Sequence, residues 1–326
     1  MVELSVVIPI RNEAPSLEEL HRELTETLRL WGRSYEIIIV DDGSTDESFD
    51  ILARLQAVDP ALRVIRFRRN FGQTAAFAAG FDYARGRLIA TADGDLQNDP
   101  RDIPAMVDAL DRGFDIVCGW RRERKDAFFT RRLPSMIANR IISSATGVAL
   151  HDYGCSLKVF RAEVVKSLKL YGEMHRFLPA IASEQGVTIE EVVVNHRPRR
   201  HGESKYGISR TIRVILDLLT VKFLLSYSTR PLQIFGLMGL AMGLLGVVIT
   251  GYLAYVRLMG EQSIANRPLL FFGGLLVISG LQLVTVGLLA ELQARTYHES
   301  QNKPTYVIRE ILDAAPLQAD REYHRA

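Results

Sequence analysis

Cysteine and tryptophan are scarce, with two of each among 326 residues. Cys118 and Cys155 stand in no metal-ligand spacing, and two thiols make no disulfide framework. Both are expected to be small buried residues of a reduced, cytosolic part. An excess of one charge is also lacking: the formal net charge is +2, so overall balance gives no support to a nucleic-acid partner. No GxGxxG follows the first apolar run and no GxxxxGK[ST] occurs anywhere. This counts against a dinucleotide-binding dehydrogenase and a P-loop NTPase. No internal repeat or low-complexity tract is evident. No secretory leader is expected, because Met1-Val2-Glu3 has no basic region and the run from Leu4 to Ile10 is short and broken by Pro9.

What the chain does contain is an alternation of short apolar runs with helical periodicity. Leu4 to Pro9, Glu36 to Val40, Leu62 to Phe67, Leu88 to Ala92 and Phe114 to Cys118 read as buried strands. Between them, Leu17, Leu20, Leu24 and Leu28 fall at helical spacing, as do Phe49, Leu52 and Leu55; Gln73 to Ala84 and Ile103 to Leu110 are further helices. Ser16 with Glu19 fits a capping box for the first helix, and Asp46 fits a cap for the second. Later strands are expected at Ser156 to Phe160 and Glu191 to Asn195. Strands alternating with helices imply an α/β fold with a mostly parallel sheet and helices on both faces. In such sheets ligands bind beyond the carboxyl ends of the strands. Three polar clusters lie there: Arg11 to Glu13, Asp41 to Ser44, and Asp93 to Gln97.

The third cluster, Asp93-Gly94-Asp95-Leu96-Gln97, is the centre of the chain's chemistry. Aspartates at i and i+2 in an extended segment point to one side. They can converge on a hard cation, Mg²⁺ or Mn²⁺, which takes oxygen ligands and keeps positions open for substrate phosphates. Taken alone, such a pair is more often a polar turn. Two basic segments supply the opposite charge. Arg121, Arg122, Arg124, Lys125, Arg131 and Arg132 crowd around Phe128-Phe129, a solvated loop or a holder of an anionic headgroup. Arg199-Arg200-His201-Gly202-Glu203-Ser204-Lys205-Tyr206 is a Gly-containing basic loop that can wrap phosphates. His175 is expected to be structural.

Long uncharged runs appear at the other end. No charged residue falls between Arg230 and Arg257 or between Arg267 and Glu291, and a membrane crossing needs about 20 apolar residues. Ile208 to Leu225 is amphipathic, with Arg210, Arg213, Asp217 and Thr220 on one face, as in an interfacial helix. The runs carry heptad-spaced glycines: Gly236 with Gly243, Gly239 with Gly246, and Gly273 with Gly280 and Gly287. Such faces permit close helix packing within a hairpin or between subunits. Basic residues are denser outside the hairpin, which places both termini in the cytoplasm.

These residues carry a resemblance. Val6-Val7-Ile8-Pro9 with Asn12-Glu13, Val40-Asp41-Asp42-Gly43-Ser44, Asp93-Gly94-Asp95-Leu96-Gln97, the Arg-rich loop through Ser135 and Asn139, and Arg199-x-x-Gly202-x-Ser204-Lys205-Tyr206 together resemble the polyprenyl-phosphate glycosyltransferases of glycosyltransferase family 2. The likeness covers roughly residues 1 to 310. It implies a GT-A fold, Rossmann-like, over residues 1–205, an interfacial region at 206–230, two transmembrane helices within 231–293 and a cytoplasmic tail at 294–326. It implies inverting transfer of a hexose from a UDP- or GDP-sugar to a polyprenyl phosphate at the cytoplasmic membrane face; two spans after the catalytic domain point to undecaprenyl phosphate, with dolichyl phosphate the other acceptor left open. Pro9, Glu13, Asp41 and Asp42 would bind the nucleotide. Asp93, Asp95 and Gln97 would bind Mg²⁺ or Mn²⁺ and the diphosphate, and Arg199 and Lys205 would close over the donor phosphates. Arg121, Arg131 and Ser135 would bind the acceptor phosphate, with Asp93, Asp95 and Arg131 in catalytic roles. Arg11 departs from many relatives, which carry an uncharged residue there. Two alternatives stand beside this reading. One is a polysaccharide-extending family 2 enzyme, against which neither Trp31 nor Trp120 lies in a Gln-x-x-Arg-Trp context. The other is an inactive membrane-anchored scaffold.

Overall fold

The structure, a computed structural model, describes residues 2–122, 143, 147–170, 174–183, 185–198, 231–260, 268–300 and 305–313. It divides into two compact units: residues 1–217 with 304–326, and residues 218–303. The expected interfacial helix at 206–230 and the basic residues from Arg124 to Arg132 lie outside the described residues.

The first unit begins with β1 (Leu4–Ile10), α1 (Ala14–Trp31), β2 (Tyr35–Asp41), α2 (Ser48–Val58) and β3 (Leu62–Phe67). Then follow α3 (Gln73–Tyr83), β4 (Leu88–Thr91), α4 (Ile103–Asp111) and β5 (Ile116–Trp120). After these come β6 (Lys158–Arg161), α5 (Ala162–Lys166), α6 (Leu178–Ser183) and β7 (Ile189–Val193). The five strands of the first half fall where the apolar runs put them, within two residues at each end. Strand order is β7-β5-β6-β4-β1-β2-β3, with one more strand beyond β3. The β4-β1-β2-β3 block is parallel throughout. β6 runs antiparallel to both β4 and β5, and β5 pairs β7 in parallel. The result is the mixed, mostly parallel sheet of a GT-A-like domain.

Alternation along β1 sorts the layers. Leu4, Val6, Ile8 and Ile10 join one core cluster with Leu17, Leu20, Leu24 and Leu28 of α1 and with Met106 and Leu110 of α4. Fully burying one such leucine contributes about 1.5–3 kcal/mol. Val7 faces the other side and meets α3 so closely that a Cβ on Gly80 would lie 2.1 Å from its Cγ1.

The eighth strand was not foreseen. β8 (Ile308–Leu312) lies in the stretch read as a tail, yet it pairs antiparallel with β3 and closes that edge of the sheet. The expected capping box also fails. α1 starts at Ala14 with Pro15 in its first turn, so Ser16 is already inside the helix and its hydroxyl is used elsewhere. Asp46 sits one residue before the N-cap Glu47, where it accepts from Ser48 N at 3.0 Å and from Ala14 N at 3.3 Å.

The second unit is a helical pair, α7 (Pro231–Gly260) and α8 (Pro268–Ser300). Both contain stretches long and apolar enough to cross a membrane, Phe235–Met259 and Pro268–Ala290. The glycines bring the backbones together: a Cβ on Gly239 would lie 2.5 Å from Gly280 O, and one on Gly246 would lie 2.7 Å from Gly273 O. Thr250 and Thr285 return their hydroxyls to carbonyls of their own helices, at Gly246 and Leu281. Leu237, Leu240, Leu244, Phe271 and Leu281 stay exposed on the pair.

Candidate active site

The carboxyl ends of β1, β2 and β4 carry the three polar clusters, and the chain stitches the first two together. Asn12, in the left-handed region at φ 56°, donates its amide to Ser44 Oγ (3.0 Å) and accepts from Thr45 N (2.8 Å). Glu13 donates its amide to Ser48 Oγ at 3.0 Å. Pro9, without an N–H, is tolerated in a central strand because the β4 pairing of β1 ends at Val7.

The two aspartates after β2 do different work. Asp41 is fully buried; its Oδ1 accepts from Ser44 N at 2.8 Å, while its Oδ2 has no hydrogen-bond partner among the described residues. Asp42 spends both oxygens on backbone amides, Phe71 N at 2.6 Å and Gly72 N at 3.0 Å. Burial pushes the Asp42 pKa up, partly opposed by those two amides. Asp42 thus shapes the turn into α3, and Asp41 keeps an acceptor in reserve.

The Asp-Gly-Asp segment follows β4 as a tight loop rather than as an extended strand end, with Leu96 at φ 62°. Asp93 accepts from Gln73 Nε2 at 2.8 Å, and its backbone amide donates to Asn98 Oδ1. Asp95 accepts from Gln97 N at 3.1 Å. Gly94 is required sterically, since a Cβ there would meet Ile10 Cγ2 at 2.7 Å. Its carbonyl accepts the Ser16 hydroxyl at 2.9 Å, which ties the first turn of α1 to this loop. Burial raises the Asp93 pKa and the neighbouring Asp95 raises it further, against the pull of Ser156, Arg121 and Lys158.

Two carboxylates crowded in this way fit a divalent cation, whose charge relieves both burial and repulsion. Among the described residues no group of three His, Cys, Asp or Glu side chains could complete a metal cage. That suits an ion held by one or two carboxylates with substrate phosphates and water. The Gln97 amide nitrogen donates to Arg197 O at 3.4 Å, which leaves its Oε1 as the atom suited to a cation.

Beyond the loop, Asn98 bridges to His196 and Gln97 O accepts from Arg197 N at 3.0 Å. Buried Asp99 accepts from Asn195 Nδ2 (3.0 Å), Arg101 Nη2 (2.6 Å) and Arg197 Nη2 (2.8 Å). Arg197 also holds Glu23 at 2.5 Å. Burial works to raise the Asp99 pKa, but these donors outweigh it and hold the carboxyl far below the usual range. The chain leading to Arg199 and Lys205 is therefore fastened beside the aspartate loop. Arg199, Lys205, Arg131 and Ser135 themselves lie outside the described residues.

Arg121 at the end of β5 gives Nε and Nη2 to Asp152, at 2.6 and 2.9 Å. Burial opposes its charge, and Asp152 more than restores it. Lys158, buried behind Asp93, donates to the carbonyls of Tyr153 and Cys155. Both cysteines are buried free thiols, and burial pushes Cys118 up to about 12. His175 pairs its Nδ1 with Thr74 Oγ1 at 2.8 Å.

Several residues of this site escaped the sequence reading: Ser16, Gln73, Asn98, Asp99, Asn195 and Arg197. Asp99-Pro100 carried a signal, because an aspartate followed by proline marks a helix start, and Asp99 does cap the short 3₁₀ turn Pro100–Asp102. The others act across the fold and leave no local mark.

The sequence model for "Glycosyl transferase family 2" matches residues 5–169. The chain is 49% identical over 318 residues to a dodecaprenyl-phosphate galacturonate synthase of Rhizobium johnstonii, covering 96% of this chain and 94% of that one. It is 38% identical over 322 residues to an undecaprenyl-phosphate 4-deoxy-4-formamido-L-arabinose transferase of Edwardsiella ictaluri, covering 98% and 97%. Among solved structures, the fold is similar to glucosyl-3-phosphoglycerate synthase of Mycobacterium tuberculosis in complex with Mn²⁺ and UDP-glucose, with TM-score 0.55, 18% identity, and coverage of 70% of this chain and 81% of that one. It is also similar to mannosyl-3-phosphoglycerate synthase of Rubrobacter xylanophilus, with TM-score 0.56, 16% identity, and coverage of 68% and 74%. With the family's sequence pattern running through β1, the aspartate loop and α5, and with relatives matched along nearly the whole chain, this protein belongs to glycosyl transferase family 2.

Proposed function

We propose that this protein transfers a hexosyl unit from a nucleoside-diphosphate sugar to a polyprenyl phosphate, with inversion at the anomeric carbon. The observation that carries this reading is the likeness to lipid-phosphate sugar transferases over 96% of the chain, apolar helices included. The galacturonate named for one relative is the acid of a hexose, and undecaprenyl phosphate, named for another, is the acceptor expected here.

The chemistry suits the residues. The acceptor is a phosphate monoester, already anionic at neutral pH. It needs no general base, so the demands are alignment and stabilisation of the departing nucleoside diphosphate. Asp93 and Asp95, with Gln97, hold Mg²⁺ or Mn²⁺, which supplies positive charge to the diphosphate. Pro9, Glu13 and Asp41 receive the nucleoside, while Asp42 builds the turn beside it. Arg199 and Lys205, which follow the Asp99–Arg197 anchor in the sequence, bind the donor phosphates. Arg131 and Ser135 bind the acceptor phosphate, with Arg121 oriented for it by Asp152. The two apolar helices span the bilayer and keep the catalytic unit and both termini at the cytoplasmic face, where the lipid phosphate lies.

The test uses purified protein in detergent with undecaprenyl phosphate, Mn²⁺ or EDTA, and a panel of labelled UDP- and GDP-sugars that includes galacturonate and 4-deoxy-4-formamido-L-arabinose. Metal-dependent label in the lipid phase from a hexose or hexuronic-acid donor, with inverted anomeric configuration, is expected; label from the formamido-arabinose donor alone, a pentose, overturns the hexosyl assignment. Label in a water-soluble polymer overturns the acceptor assignment. Full activity in a folded Asp95→Ala variant overturns the metal role.

A further inference from the structure

A row of alternating charge crosses three neighbouring strands and ends at the nucleotide side of the site. Asp41 of β2 is the register partner of Arg66 of β3, and Arg66 is the register partner of Glu310 of β8. Arg66 Nη1 donates to Glu310 Oε1 at 3.1 Å. Its Nε stands 3.8 Å from Asp41 Oδ2, too far for a hydrogen bond. The guanidinium carbon Cζ lies over the Phe49 ring, 3.9 Å from the centroid. The β3–β8 register shifts at Arg66/Phe67, an irregularity of the kind that re-aims a side chain at a sheet edge. β8 is secured on both sides of Glu310. Tyr306 stacks on Phe67 and donates to Asp82 at 2.8 Å, and Asp313 pairs with Arg63 and Arg85.

Asp41 Oδ2 is buried and accepts no hydrogen bond among the described residues. An unsatisfied buried acceptor calls for an explanation, and a ligand donor supplies one. Among the described residues, Arg66 is the one cation within 4 Å of that oxygen. Were it drawn about one ångström closer, its Nε–H would occupy Oδ2. Glu310 pulls from the opposite side and holds it back.

We propose that Glu310 is a positioning residue for donor binding: by holding Arg66 away from Asp41, the strand that follows the apolar helices keeps Asp41 Oδ2 available to a nucleobase ring N–H, such as N3–H of uracil. This rests on the reading of Asp41 as a nucleoside contact. Donor affinity thereby depends on a segment more than 240 positions away from β3 in sequence.

The experiment titrates UDP and GDP, each with Mn²⁺, into the full chain in detergent, and then uses the tighter-binding nucleotide as probe. Glu310→Gln and Glu310→Ala are expected to weaken that nucleotide about three- to fivefold, the upper part of the range open to a half-exposed ion pair. In turnover assays the effect falls on donor KM rather than on kcat, and Glu310→Asp recovers most of it. The deciding arm is Arg66→Ala: with that side chain gone, adding Glu310→Ala is expected to change affinity by less than about twofold. A role confined to holding β8 in place predicts instead that the Glu310 loss persists in the Arg66→Ala background. That result, or Glu310→Ala affinity equal to wild type, overturns the proposal. Asp41→Asn tests the underlying reading separately: unchanged nucleotide affinity in that variant removes the nucleoside role of Asp41 whatever Glu310 does.

Discussion

Asp99→Ala is expected to destabilise this fold substantially although it removes no apolar packing. Asp99 is 3% exposed and collects donors from Arg101, Asn195 and Arg197. The Arg101 side chain is 71% exposed, so solvent screens its pair and it contributes little. Its backbone amide, capped by Asp99 at 3.2 Å, adds about 1 kcal/mol. Arg197 is only 16% exposed, and a charge-assisted bond there is worth about 1.5–3 kcal/mol. Asn195 loses the acceptor of a part-buried amide, about 1 kcal/mol more. Glu23 still holds Arg197, which limits the loss. The total is about 3–5 kcal/mol, within the usual range for breaking one side of a buried pair. For a unit of this size that lowers Tm by on the order of 10 °C. The assay is thermal unfolding in detergent, with Arg101→Ala, which removes only the screened exposed pair, as the control expected to change Tm little. The pH dependence follows from the depressed carboxyl. Its stabilisation is complete above the unfolded value of about 3.9 and is lost as pH falls toward the lower folded value. The gap between wild type and Asp99→Asn is therefore flat near neutral pH and narrows below about pH 4. A Tm drop under about 2 °C, or one equal to that of Arg101→Ala, refutes the reasoning.

Gly94→Ala drives a methyl into Ile10 Cγ2, so the loop must shift; activity is expected to fall at least about tenfold while Tm changes little, read from initial rates beside melting curves. Gln73→Glu places a third carboxylate against Asp93 in the metal-free protein, and a Mn²⁺ titration is expected to show altered cation affinity where Gln73→Ala shows a smaller change. Cys118 and Cys155, buried thiols with raised pKa values, are expected to resist alkylation at pH 8 in the folded protein and to label in full after denaturation, as counted by intact mass. Rapid labelling of the native protein contradicts their burial.

Much of this protein was legible before folding. Apolar runs bounded by Asp, Gly and Asn placed β1 to β5, because a buried parallel strand must be continuously apolar and its end must be polar. The leucine spacing of α1 named its buried face, and two uncharged runs named the apolar helices. Asp41 and Asp93 were recognisable for the same reason: carboxylates directly after buried strands stand on the rim where such sheets bind ligands.

The tertiary structure decided what each polar residue does there. Asp41 and Asp42 are identical and adjacent in sequence, yet one keeps an unused oxygen and the other is consumed by the amides of Phe71 and Gly72. Ser16 satisfied the spacing of a capping box, but Pro15 starts the helix earlier and the hydroxyl serves Gly94 instead. β8 was read as tail because Ile308-Arg309-Glu310-Ile311-Leu312 is short and half polar, as an edge strand can be when only one face is covered. Its pairing with β3, and the Asp41–Arg66–Glu310 row that results, join residues about 245 positions apart. Local pattern records burial and turns; which side chains share a hydrogen bond across such a distance is set by strand order and register, and these exist only in the folded chain.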